Sequence, residues 1–193
     1  MSNIPKLMSG VYLTGHGGLD KLVYREDIPV PVPQAGEVLI EVKGAGVNNT
    51  DINTRLGWYS KKVTSDTNAG GTEGLSEVDD DDASWSGVPL QFPRIQGGDI
   101  CGNIVQVGEG VEQDRIGTRT LVRSMQNIPT KENPLAMQTM GSEVDGGFAQ
   151  YCVAKAKESF PINCDWSDIE LASIPISYAT AAVSYTHLRA HET

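Results

Sequence analysis

The chain has 193 residues, 39% of them hydrophobic and 21% charged, which is enough for one sizeable core and at most a domain and a half. Its 25 acidic residues outnumber 15 Lys and Arg, for a formal charge of −10. Such a surface repels phosphate backbones and anionic lipid, which argues against nucleic acid and membranes as partners. No apolar run approaches the roughly 18 residues of a membrane helix, and no basic segment leads into an apolar one at the N-terminus. The three cysteines, Cys101, Cys152 and Cys164, show no C-x-x-C spacing, a pattern that points to a soluble protein of a reducing, cytoplasmic compartment. Glycine is abundant, 21 residues spread along the chain, and predicts many turns and short strands, so the fold class is mainly β with short helices.

In chain order, Val11 to Thr14 and Lys21 to Arg25 read as short strands around the turn Gly15-His16-Gly17-Gly18. Ile28 to Pro33 carries three prolines, which remove ladder donors, and is predicted to be an extended connector rather than a central strand. Glu37 to Lys43 alternates, with Val38, Ile40 and Val42 on one face; Leu39 spoils the other face and predicts cover on both sides. Asn49 to Arg55 has the chemistry of a helix start, with Asn49, Thr50 or Asp51 as cap and Gly57 as stop.

Residues 60 to 89 form a long polar stretch holding Asp79 to Asp82. The four aspartates lack the alternating spacing and turn glycine of a calcium loop, so the stretch reads as a solvated, flexible acidic insertion. Ile100 to Val107 is a strong strand closed by Gly108-Glu109-Gly110, and Thr118 to Arg123 is another. Ser124 to Asp145 is polar and irregular, Gly146 to Lys155 returns to strand, and Ser159 to Ile162 is a short last strand. Asp165 and Asp168 open a helix through Leu171 and Ala172, which Pro175 interrupts.

Residues 183 to 193 do not continue what precedes them: they resemble a translated sequencing-library adapter and read as a non-native tail. His187 and His191 stand at a spacing able to hold zinc on a helix, but belong to that tail.

Taken together, Tyr12 to Lys21, Gly36 to Lys43, Ala45-Gly-Val-Asn-Asn-Thr-Asp-Ile-Asn53, Phe92-Pro-Arg-Ile-Gln-Gly-Gly-Asp-Ile-Cys-Gly102, Val105 to Val111 and Gly146-Gly-Phe-Ala-Gln-Tyr151 resemble the medium-chain dehydrogenase/reductase superfamily. The likeness runs from about residue 9 to 180 outside the insertion and is nearest the zinc-free, quinone-oxidoreductase-like branch. It implies a GroES-like β-barrel over residues 1–182, the catalytic domain of an enzyme whose Rossmann half is absent from this sequence. No G-x-G-x-x-G fits: Gly15-His-Gly and Gly108-Glu-Gly lack the third glycine and read as turns.

The zinc-bearing relatives place a Cys, a His and a Cys where this sequence has Asn48, Gly98 and Ile176, and the stretch from Ser124 to Gly146 has no cysteine. The resemblance therefore implies no zinc, and a cofactor that is NADP or NAD in the full-length protein. Asn48 matches the family asparagine beside the nicotinamide, and Thr180 matches a hinge-helix threonine facing the ring. Asp51 is open to two readings, a proton relay or a helix cap. Tyr59, after Trp58, is open to a donor role in the cleft or to simple aromatic packing.

The implied activity is NAD(P)H-dependent reduction of quinones, enones or related carbonyls, with a small-molecule carbonyl as partner and a homo-oligomer as an option for the full-length protein. This piece alone is expected to be inactive. The alternative is a non-catalytic small-molecule-binding or assembly module on the same barrel.

Overall fold

The computed structural model describes residues 4–66, 73–76, 78, 81, 83–84 and 88–188. Strand β1 (Leu7–Leu13) lies between β2 (Leu22–Pro29) and β4 (Arg94–Ile95) in an antiparallel sheet of order β2-β1-β4. A second antiparallel sheet runs in the order β10-β6-β5-β3-β9, from β3 (Glu37–Gly46), β5 (Asp99–Val107), β6 (Arg119–Val122), β9 (Tyr151–Lys155) and β10 (Ser159–Pro161). The expected mainly-β class is what the chain forms.

The sheets are stitched together by residues 146–150. The N–H groups of Gly146, Phe148 and Gly147 donate to the carbonyls of Ile95, Gln96 and Gly97, and that of Gln150 donates to Ser9. This segment was expected to be strand throughout. Its first part instead crosses the gap between sheets, and the glycines permit the approach: a Cβ on Gly146 would stand 2.3 Å from the Gly97 carbonyl oxygen.

The core follows the apolar alternation. Val38, Ile40, Ile100, Ile104, Val122, Cys152 and Ala154 form one fully buried cluster, and Met8, Ile28, Ile95 and Ala149 form a second under the smaller sheet. Leu39 is also fully buried, in line with cover on both faces of β3. On the outer face, helix α2 (Asp168–Leu171) packs Leu171 and Ala172 against Cys101. It approaches so closely because β3 is bare there: a Cβ on Gly44 or Gly46 would stand 2.6 Å from the carbonyl oxygens of Asp168 or Ala172.

Four expectations need correction. Strand β2 extends to Pro29, into the predicted connector; a proline is admitted because β2 is an edge and Pro29 pairs only with Leu7 on one side. The irregular stretch after Ser124 contains a hairpin of β7 (Met125–Asn127) and β8 (Met137–Thr139), strands too short to show a period. Helix α1 (Asn49–Leu56) is capped by Asn48, one residue before the candidates, because Asn48 holds an extended backbone and its Oδ1 accepts from the Thr50 N–H. Pro175 does not interrupt a helix but begins one, α3 (Pro175–Leu188), at the position where its missing N–H costs nothing. Gly57 stops α1 as expected, at φ 75°.

Most of the aspartate run, Asp79, Asp80 and Asp82, lies outside the described residues, as does His191. The described parts of the insertion are mixed, with Lys61, Lys62, Glu73 and Asp81 exposed. Ala83 and Ser84 are buried, and Val78 packs onto Gly57, where an added Cβ would meet it at 2.6 Å. Helix α3 continues through Leu188 into the stretch read as a tail.

Candidate functional site

The first turn of α1, the start of β5 and the first turn of α3 meet at one point, and the polar groups there bind one another. Asn48 is the hub. Its backbone N–H donates to Asp51 Oδ2 at 2.8 Å, its Oδ1 accepts from Thr50 N–H at 3.1 Å, and its Nδ2 donates to Asp99 Oδ2 at 3.3 Å. The other oxygen of Asp99 accepts the Ile176 N–H at 2.7 Å, and the other oxygen of Asp51 accepts the Gly97 N–H at 3.0 Å. Gln96 Nε2 donates to the Asp51 carbonyl at 2.9 Å.

Both carboxylates are almost wholly buried, Asp51 at 7% and Asp99 at 2% exposure. Each rests on N–H donors, and among the described residues no ion pair reaches either. Burial accordingly pushes the Asp51 carboxyl up to about 6, opposed by the Asn48 and Gly97 amides and assisted by the charge of Asp99. Burial also raises Asp99, against the pull of the Ile176 amide and the Asn48 side chain.

A cavity of about 110 Å³ opens beside this cluster, lined by Thr50, Asp51 and Thr54 of α1, Ser124 and Met140, and Ile176 and Thr180 of α3. A larger cavity of about 280 Å³ lies beyond Met140, against β1, β2 and β9. Its charged groups are spent on each other or on backbone: Lys155 pairs with Glu37 at 2.8 Å, and Asp145 binds Arg94 and the Ile95 N–H.

Of the residues singled out from sequence, Asp51 and Thr180 line the smaller cavity, and Asn48 stands behind it, joined through Asp99 to Ile176. Thr180 is exposed, and its hydroxyl donates to the Ile176 carbonyl at 2.9 Å. Tyr59 is elsewhere. It packs edge to face with Trp58, ring centroids 5.6 Å apart, beyond the other end of α1, and does not line this cavity. The helix-cap reading of Asp51 describes its contacts, since it completes a reciprocal capping box with Asn48.

Asp99 was missed from sequence. Its partners are 51 and 77 residues away, so no local pattern exposes it; the available signal was an acidic residue opening a strongly apolar strand. Asn48, Gly98 and Ile176, the positions matched to metal ligands, do converge: two of them bind Asp99, and a Cβ on Gly98 would stand 2.9 Å from Ile176 Cδ1. They present an amide, a hydrogen and an alkyl chain. Among the described residues no three His, Cys, Asp or Glu are grouped to hold a metal ion, and no helix is long and apolar enough to cross a membrane.

Comparison with known proteins gives this arrangement its context. The family model of the alcohol dehydrogenase GroES-like domain matches residues 34–164. The quinone oxidoreductase of Rattus norvegicus is 25% identical over 187 residues, 97% of this chain and 43% of its own length. The solved structure of a protein assigned as an alcohol dehydrogenase from Sinorhizobium meliloti 1021 is 39% identical with a TM-score of 0.77, covering 98% of this chain and 49% of that one. An alcohol dehydrogenase from E. coli CFT073, complexed with NADH, is 25% identical with a TM-score of 0.68, over 95% of this chain and 46% of its own. The chain thus spans less than half the length of these relatives. With its residues 34–164 matched and the mainly-β architecture in place, the chain belongs to the alcohol dehydrogenase GroES-like domain family, within the medium-chain dehydrogenase/reductase superfamily.

Proposed function

We propose that this chain forms the substrate-facing wall of an NAD(P)-dependent oxidoreductase that reduces quinones, enones or related carbonyls without a metal ion. The observation that carries the reading is the meeting of Asp51, Thr180 and the Asn48–Asp99 link around one cleft, from three elements far apart in sequence.

The residues suit the nicotinamide end of such a cofactor, since the cleft is bordered by Ile176 and Met140 with polar groups at one side. They offer nothing for a pyrophosphate. The glycine turns Gly15 to Gly18 and Gly108 to Gly110 open no α-helix, and so supply no ring of free amides at a helix N-terminus. A bound nicotinamide would supply the hydride. The protein's part is orientation and charge. Asn48 Nδ2 carries a second N–H beyond the one given to Asp99, while its backbone N–H and its Oδ1 fix the residue on Asp51 and Thr50. Asp51, whose carboxyl burial raises to about 6, can hold a proton at the cleft wall. Ile176 occupies a ligand position with an alkyl chain, so polarising a carbonyl falls to hydrogen bonds rather than to a Lewis acid.

The test has two arms. Calorimetric titration of this chain with NADPH and with NADH should give dissociation constants no tighter than roughly millimolar, because one ring's contacts cannot offset the entropy of ordering the whole ligand. Micromolar binding would mean that the cofactor site is misplaced. In a longer protein that joins this chain to a nucleotide-binding half, Asn48→Ala should lower kcat for quinone reduction by roughly 10- to 100-fold while leaving cofactor affinity within about threefold. An unchanged kcat would remove Asn48 from the chemistry.

A further inference from the structure

We infer that Asp99 is the positioning residue that clamps helix α3 to the Asn48 turn, and so sets the separation between the two walls of the cleft. The inference rests on the cleft proposed above, but its evidence is independent of any reaction.

Helix α3 cannot cap itself. Its first residue is Pro175, which has no N–H, and the residue before it, Ile174, has no side-chain acceptor. The Ile176 N–H is one of the amides that every helix start leaves without an intrahelical partner. It is taken at 2.7 Å by Asp99, which reaches over from β5 and brings negative charge to the positive end of the helix.

The same carboxylate takes Asn48 Nδ2 with its other oxygen. One side chain, 2% exposed and rooted in the central sheet, therefore holds both the α1 turn and the α3 start. The rest of α3 is loosely attached: residues 177–186 are all exposed. Its seat depends on the first turn, where Ile176 also packs over Gly98. Releasing Asp99 should free the helix without melting the sheet beneath it.

The experiment is hydrogen exchange by NMR on the 193-residue chain, comparing wild type with Asp99→Ala, Asp99→Asn and Asn48→Ala. In Asp99→Ala the protection of the Ile176 amide should fall about tenfold, the factor expected for losing a charge-assisted hydrogen bond. Ile104 and Leu39, in the sheet core, should change less than about twofold, and the Asn48 side-chain amide signal should shift. Asp99→Asn keeps one acceptor and should restore part of the Ile176 protection, roughly to within threefold of wild type. Asn48→Ala should lower Ile176 protection as well, through loss of the contact that orients Asp99.

Equal loss at Ile176 and Ile104 in Asp99→Ala and Asp99→Asn alike would reduce Asp99 to a generally stabilising residue and overturn the proposal. So would undiminished Ile176 protection in Asp99→Ala. If Asp99→Ala does not fold, Asp99→Asn and Asn48→Ala decide alone. No activity is read, so a chain that serves no carbonyl reductase leaves this result standing.

Discussion

Two helices of this chain begin with the same reciprocal device, and burial makes the two behave in opposite ways. At α1, Asn48 accepts from the Thr50 N–H while Asp51 accepts from the Asn48 N–H; at α2, Ser167 accepts from the Glu170 N–H while Glu170 accepts from the Ser167 N–H. Glu170 is exposed, and the Ser167 hydroxyl and amide draw its carboxyl below the usual range. Asp51 has comparable donors, yet desolvation outweighs them and its carboxyl rises to about 6. The outer box is a helix start and nothing else. The inner one is a carboxylate that burial raises to about 6 beside a cavity, at some cost in stability.

The contrast is sharpest in its pH dependence. The raised Asp51 carboxyl binds its proton more tightly in the folded chain than in the unfolded one. Its stabilising contribution is complete below the unfolded value of 3.8 and is lost as pH rises through about 6. The shift from 3.8 to about 6 corresponds to about 3 kcal/mol. Urea unfolding from pH 4 to 8 should therefore show wild type losing about that much relative to Asp51→Asn, which has no carboxyl to titrate there. Parallel curves for the two proteins would remove the distinction. Glu170 runs the other way: its lowered value stabilises above the unfolded range, and that contribution fades as pH falls through the folded value.

A smaller effect comes from the caps themselves. Asn48→Ala removes the acceptor for Thr50 and the link to Asp99, and should cost about 1–2 kcal/mol by denaturant unfolding. At the exposed box, Ser167→Ala should cost less, about 0.5–1 kcal/mol, since water can replace the lost acceptor. If Ser167→Ala proved the more damaging, burial would not be what separates the two helices.

Much of the fold was legible because it is written in local patterns. The alternation in β3, the apolar run of β5 and the stop at Gly57 all describe a residue's own neighbours. The hairpin of β7 and β8 escaped because three-residue strands are too short to display a period. The bridging segment 146–150 read as strand because extended backbone and strand pairing look alike in sequence; which edge it joins is decided by Gly97 and Ile95, far upstream. At the site, Asn48 and Thr180 were singled out by resemblance, and Asp51 by its place in the first turn of α1. Asp99 was not, since its meaning lies in two long-range hydrogen bonds. Tyr59 was open to a role in the cleft or to aromatic packing, and it packs on Trp58 past the left-handed turn at Gly57.

The outer strands have a bearing on how this chain would keep in solution. The two larger sheets each have one edge strand that carries a proline, Pro29 on β2 and Pro161 on β10. A sheet edge is a template for another molecule's strand, and a proline withdraws one donor and blocks close approach of a newcomer. At the opposite end of the larger sheet, on β9, the Lys155 N–H is already given to Gln126 Oε1 at 2.8 Å. Edge-to-edge growth into fibrils is thereby obstructed at three margins. Replacing Pro29 and Pro161 with valine should leave the barrel folded and raise its tendency to aggregate on storage, which light scattering would follow directly.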